Sequence, residues 1–205
     1  MMFLALLATA YLLGSIPTGP ALVKLVKRVD LRDYGSGNTG AANVLRVAGP
    51  KLAAAVVAAD LLKGFIPVAA ARLLLSSTLA PPLVGLAATS GHVWSLFLGF
   101  KGGKGVLTAL GGLVALAPVS GLISATIGGT VMAVSRYSSL GSLTGTLAGA
   151  VSLLTLIASR RKPAGYLVQV LLPPLLIIAT HRENIQRLLS GTERKLTQGT
   201  EKRTK

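Results

Sequence analysis

Long apolar runs alternate along this chain with short, glycine-rich polar stretches. The runs cover residues 1–26, 52–75, a segment opening after Pro81 and Pro82, 106–134, 140–159 and 164–180; the polar stretches are 35–46, 91–105 and 181–193. A helix needs about 20 apolar residues to cross a bilayer, so the pattern predicts an all-α polytopic membrane protein, a single domain over 1–205 with a basic, flexible tail at 194–205. The 29 uncharged residues of 106–134 are long for one span and short for two. Charge decides between them. If Pro118 splits the run, the segments on one side carry sixteen Lys and Arg, and the other side carries only Arg160, Arg161 and Lys162. Cytoplasmic loops collect Lys and Arg, so we expect about seven transmembrane helices with three polar motif loops on the cytoplasmic face.

The first run turns basic only at its end, at Lys24, Lys27 and Arg28. A secretory signal has the opposite polarity, so this run reads as an uncleaved span with its N-terminus outside, kinked at Gly14, Ser15 and Pro17. The second run contains Asp60 and Lys63, three residues apart and able to pair on one helix face. Ionisable groups at membrane depth are costly and need a partner or a cavity. Trp94, the only tryptophan, falls at a span end and reads as an interface anchor.

Composition supports the membrane reading and limits the chemistry. The chain is 51% hydrophobic and 13% charged, with a net charge of +15 and a mean hydropathy of +0.66. Such a positive excess suits anionic lipid and anionic substrates. A nucleic-acid binder would not carry these uncharged runs. There is no cysteine, which removes thiolate catalysis and Cys-bound metal.

The stretch GSGNTGAANVLR at 35–46 is the most distinctive. Its glycines permit positive φ angles that turn successive backbone N–H groups toward one point, an arrangement that binds anions. We expect donors at Ser36, Gly37 and Asn38, with the Arg46 guanidinium as a bidentate phosphate ligand. In GHVWSLFLGFKGGKG, Lys104 lies between Gly103 and Gly105 and can approach a phosphate as a point charge. In HRENIQRLLSGTE the spacing predicts a helix with His181 and Asn184 on one face.

Other motifs fail on context. GSGNTG matches G-x-G-x-x-G and Asp60 has the spacing of a ribose partner, but a membrane span precedes the glycines. The phosphate-loop pattern fails because Gly105 follows Lys104. Ser36 lacks the G-x-S-x-G frame of a hydrolase elbow. The His-x4-Asp signature is missing at both histidines, His92 and His181.

The three polar stretches resemble the three motifs of the bacterial acyl-phosphate:glycerol-3-phosphate acyltransferases, integral membrane enzymes that begin phospholipid synthesis. YLLGSIPTG at 11–19 and DLLKGFIPV at 60–68 also resemble that family. The chain departs at Ala42, Ser95 and Leu107, where the family more often has Thr, Pro and Ala; no charged group is lost. The resemblance implies acyl transfer from acyl phosphate to the 1-hydroxyl of sn-glycerol 3-phosphate in the bacterial cytoplasmic (inner) membrane. The products would be lysophosphatidic acid and inorganic phosphate, with no metal and no cofactor. It also implies Lys104, His181 and Ser36 as catalytic residues. The implied substrate-binding residues are Gly35, Ser36, Gly37, Asn38, Asn43, Arg46, His92, Lys101, Gly102, Gly103, Lys104, His181 and Asn184. The expected partners are the two substrates and membrane lipid, not nucleic acid, with the site and the C-terminus cytoplasmic. The rival from another class is a transporter of a phosphorylated solute; a lipid-binding scaffold would explain the basic tail but not the glycine loops.

Overall fold

The computed structural model describes residues 1–196; the rest of the basic tail lies outside the described residues. In order, the helices are α1 (Met2–Ser15), α2 (Thr18–Lys27), α3 (Ala41–Ala48), α4 (Pro50–Leu74), α5 (Ala80–Val93), α6 (Val106–Leu116), α7 (Pro118–Ser135), α8 (Ser138–Ala158), α9 (Leu167–Thr180) and α10 (Arg182–Leu189). The helix breaks follow the sequence. Ile16 and Pro17 separate α1 from α2, and Pro118 opens α7 at the position expected to divide the long run. Proline has no N–H to continue a ladder but suits a first turn.

Four segments are long and apolar enough to cross a membrane: Met2–Lys27, Pro50–Leu74, Pro118–Ser135 and Ser138–Ala158. A fifth is the pair Ala164–Thr180 and Arg182–Leu189, bent by 63°. At 14 and 11 residues, α5 and α6 are shorter. Large apolar side chains such as Leu4, Leu73, Leu122 and Val134 point outward, as in a protein solvated by lipid.

Three helix pairs pack backbone against backbone. A Cβ on Gly14 or Gly91 would meet the partner's carbonyl oxygen at 2.0 or 2.1 Å across α1 and α5, and one on Gly64 or Gly111 at 1.9 or 2.0 Å across α4 and α6. Across α7 and α8, a Cβ on Gly141 or Gly145 would meet the Gly128 or Ser124 carbonyl oxygen at 2.5 or 2.7 Å. Small residues at such crossings supply the packing that the hydrophobic effect cannot provide between helices in lipid.

Two sets of hydrogen bonds define the poles of the bundle. At one pole, Arg72 at the end of α4 donates to the Ala115 carbonyl. Lys162, after α8, donates to the Leu116 carbonyl at 2.9 Å. Both cations cap the C-terminus of α6, where unpaired carbonyls favour positive charge. At the other pole, Ser139 at the start of α8 meets Glu193, and the Leu196 N–H donates to the Arg136 carbonyl at 2.8 Å. Here α1, α5, α7 and α9 end and α4, α6 and α8 begin. Val23, Leu31, Val44, Ala53 and Val56 form an apolar cluster beneath the first polar stretch, seating α2 and α3 against α4.

Candidate active site

The three polar stretches meet at this second pole. In the first, Gly35 and Gly37 have φ values of 58° and 72°, which glycine adopts without strain. Asn43 ties the loop together. Its Nδ2 donates to the Leu31, Tyr34 and Asn38 carbonyls at 3.2, 3.1 and 3.0 Å, and its Oδ1 accepts the Ser36 N–H at 2.9 Å. The Gly37 N–H goes to the Tyr34 carbonyl at 3.0 Å, the Asn38 N–H to Ser36 Oγ at 3.4 Å and the Gly40 N–H to Asn38 Oδ1 at 3.0 Å.

The amides of Ser36, Gly37 and Asn38, expected as a backbone cradle, are here used in closing the loop. Short Asn and Ser side chains compete for nearby backbone donors, and here they take them. Asn43, only 1% exposed, acts as the fastener of the loop. Gly35 and Gly37 shape the turn, whereas Ser36, Asn38, Gly40, Ala41 and Arg46 line the cavity above it.

The second stretch leaves α5 through a tight hairpin whose Gly99 and Phe100 have φ values of 59° and 63°. It returns with the Gly102 N–H on the Val93 carbonyl at 2.9 Å and the Gly103 N–H on the His92 carbonyl at 3.0 Å. This return separates two lysines that the sequence groups together: Lys101 is exposed, outside the cavity lining, and Lys104 is drawn in. Gly102, Gly103 and His92 line the wall behind Lys104.

In the third stretch, the elbow between α9 and α10 falls at His181, which is 1% exposed and holds Nδ1 2.8 Å from the Ile177 carbonyl. With Nδ1 as donor, Nε2 is the free acceptor nitrogen. Asn184, one turn on, accepts a hydrogen bond from Lys104 Nζ. Asn184 Nδ2 donates to Glu193 Oε1 at 2.6 Å. Ser139 Oγ also donates to that oxygen at 2.8 Å, and Arg187 Nε donates to Oε2 at 2.8 Å.

The chain then crosses back over the first loop. Arg46 donates to the Arg194 and Lys195 carbonyls at 3.5 and 3.3 Å, while Arg194 donates to the Gly35 carbonyl.

Burial lowers the Lys104 pKa to about 8; Glu193 and Glu183 oppose the shift, and Arg187 and Arg46 add to it. Burial alone would raise the Glu193 carboxyl, but hydrogen bonds from Asn184, Ser139 and Arg187 outweigh it and hold the group below its usual range. Burial also lowers Arg46 from its ordinary value. Among the described residues no group of three His, Asp or Glu side chains converges as a cation site.

The cavity has a volume of about 1140 Å³. Its polar end carries Ser36, Arg46, Lys104, His181, Asn184 and Arg187. It continues into an apolar slot between α6, α7, α8 and α9, past Leu110, Leu113, Gly128, Met132 and Pro173. Cations at one end and a lipid-like slot at the other suit an amphiphile with an anionic head. Sequence reasoning assigned no role to Glu193, Ser139, Arg187 or Arg194. Glu193 had a usable signal, as one of only six acidic residues in the chain, within the third motif.

Residues 4–191 match the family model described as glycerol-3-phosphate acyltransferase. A relative named glycerol-3-phosphate acyltransferase, from Thermoanaerobacter pseudethanolicus, is 45% identical over 192 residues, covering 94% of each chain. The fold is similar to the crystal structure of PlsY (YgiH), an integral membrane glycerol 3-phosphate acyltransferase, in its glycerol 3-phosphate form. That likeness has a TM-score of 0.88 and 43% identity, and covers 95% of this chain and 96% of that one. The lysophosphatidic acid form of that enzyme gives a TM-score of 0.86 and 42% identity, over 95% of each chain.

Proposed function

Since the chain belongs to the glycerol-3-phosphate acyltransferase family, we propose that it transfers a fatty acyl group from acyl phosphate to the 1-hydroxyl of sn-glycerol 3-phosphate. The products are lysophosphatidic acid and inorganic phosphate. The observation that carries this reading is the single cavity joining a cationic end to an apolar slot, because both substrates bear phosphate and one bears an acyl chain.

Arg46 and Lys104 hold phosphate, Arg46 as a planar fork and Lys104 as a point charge. Ser36, Asn184 and His181 orient the glycerol hydroxyls. The hydroxyl oxygen attacks the acyl carbonyl carbon, the carbon–oxygen bond to phosphate breaks, and a phosphate oxygen of the donor takes the hydroxyl proton. An acyl phosphate is already activated, so positioning and cationic stabilisation of the developing charge supply most of the catalysis.

Seven membrane spans, α1, α4 to α9, with the cavity pole cytoplasmic and the N-terminus outside, accommodate the alternation of helix ends between the two poles. Lys162, as a cap on α6, is one of the three cations, with Arg160 and Arg161, that stood against this orientation. We assign the chain to the bacterial inner membrane as a single domain.

The test is phosphate release by purified, detergent-dispersed protein given palmitoyl phosphate, with and without sn-glycerol 3-phosphate. Release only with both substrates, in step with lysophosphatidic acid, is the expected result. A folded protein that forms no product and carries a phosphorylated solute into vesicles would instead be a transporter. His181→Ala is expected to lose less than about tenfold in kcat; a loss of about 10²-fold or more would make His181 the base.

A further inference from the structure

Behind the wall that carries Lys104 lies a second polar cluster, which the acyl-transfer chemistry does not use directly. Asp60 and Lys63 of α4 pair at 2.8 Å with side chains 3% and 8% exposed. His92, at the end of α5, holds Nδ1 4.0 Å from Asp60 Oδ1 with its side chain 10% exposed. Lys63 Nζ also donates to the Ile16 carbonyl at 3.1 Å, where α1 breaks. His92 Nδ1 and the neighbouring Ser15 Oγ are buried without a hydrogen-bond partner among the described residues. Three ionisable groups at this depth cost more than an apolar replacement would, so their placement calls for a role beyond packing.

The place where His92 touches the site supplies one. Its carbonyl accepts the Gly103 N–H at 3.0 Å, and a Cβ on Gly103 would come 2.3 Å from His92 Nε2. The next residue is Lys104, bonded to Asn184. A continuous line of contacts thus runs from the α1 break through Lys63, Asp60 and His92 to the backbone that carries the phosphate-binding lysine.

We infer that Asp60, Lys63 and His92 form a positioning unit that sets the height of the Gly102–Lys104 segment, and with it the reach of Lys104 to the substrate phosphate. Asp60 faces the imidazole across 4.0 Å, the imidazole abuts Gly103 while the His92 carbonyl holds its N–H, and Lys63 ties the unit to α1. None of the three touches the reacting atoms. The inference rests on the acyl-transfer reading above.

The experiment compares the full chain with Asp60→Asn, His92→Ala and His92→Gln, measuring thermal unfolding, acyl-transfer kinetics and the pH dependence of kcat/KM. Wild-type turnover comes first, because its absence would sink the acyl-transfer reading and not this one. With turnover in hand, folded Asp60→Asn and His92→Ala should raise KM for sn-glycerol 3-phosphate about tenfold or more. Loosening the segment rehydrates Lys104, so the falling limb near pH 8 should move upward by about one unit. His92→Gln, which retains a polar side chain, should recover part of both effects, and it decides the question if the other two do not fold. An unchanged KM and limb in a folded variant would overturn the inference. So would a loss confined to the folded fraction, which lowers apparent kcat alone.

Discussion

Glu193 and Asp60 are both buried carboxylates, with side chains 5% and 3% exposed, and they stand on opposite sides of the segment that bears Lys104. Glu193 accepts hydrogen bonds from Ser139, Asn184 and Arg187. Asp60 has the Lys63 ammonium and a distant imidazole. One sits at the pole, assembled from a loop and two helix ends that can adjust; the other sits inside the bundle, between helices packed too closely to supply more donors. A polar group at the pole can therefore be fully satisfied. One at depth must rely on charge pairing, and it transmits position more readily than it holds a ligand.

That contrast can be tested at four strengths. Lys104→Ala, which removes the cation on the segment between the two carboxylates, should lower kcat/KM for sn-glycerol 3-phosphate by about 10²–10³-fold. Near-normal turnover would remove Lys104 from the site. Glu193→Gln should cost about tenfold in kcat/KM and about 1–3 kcal/mol of stability, because Asn184, Ser139 and Arg187 lose part of their shared acceptor; thermal unfolding beside kinetics checks both.

The third test is pH. With the Lys104 pKa lowered to about 8, the free enzyme loses that proton as pH rises, so kcat/KM should fall through a limb centred near 8. Lys104→Arg, if active, should carry no such limb, and a limb that persists in it belongs to another group. Last, Lys101→Ala should change kcat/KM by less than about twofold, since Lys101 is exposed directly after Phe100 and does not line the cavity. A loss comparable with that of Lys104→Ala would mean that both lysines reach substrate.

Much of this was legible in the sequence. The apolar runs gave the helices, Pro118 divided the longest of them, and three polar stretches separated by helix lengths came together at one pole. The interior of the first loop was not legible. Glycine spacing says that a turn forms, but not whether its amides face a ligand or an Asn side chain seven residues on. Nor could Lys101 and Lys104 be separated, because their difference arises from the hairpin at Gly99 and Phe100. The bonds of Arg46 to carbonyls 148 and 149 residues away leave no local pattern. Lys162 counts against the expected orientation in the sequence, and only its bond to the end of α6 gives it a structural reason to be there.

The crossing of residues 193–196 over the first loop also orders events on the ribosome. Arg46 and Lys104 are made and inserted while the carboxylate that completes their surroundings has yet to be synthesised. The nascent bundle thus holds an open, uncompensated basic vestibule, and acquires its finished electrostatics only as the third motif emerges and folds back. The order of residues in this chain thus puts the closing of the vestibule late in its biosynthesis.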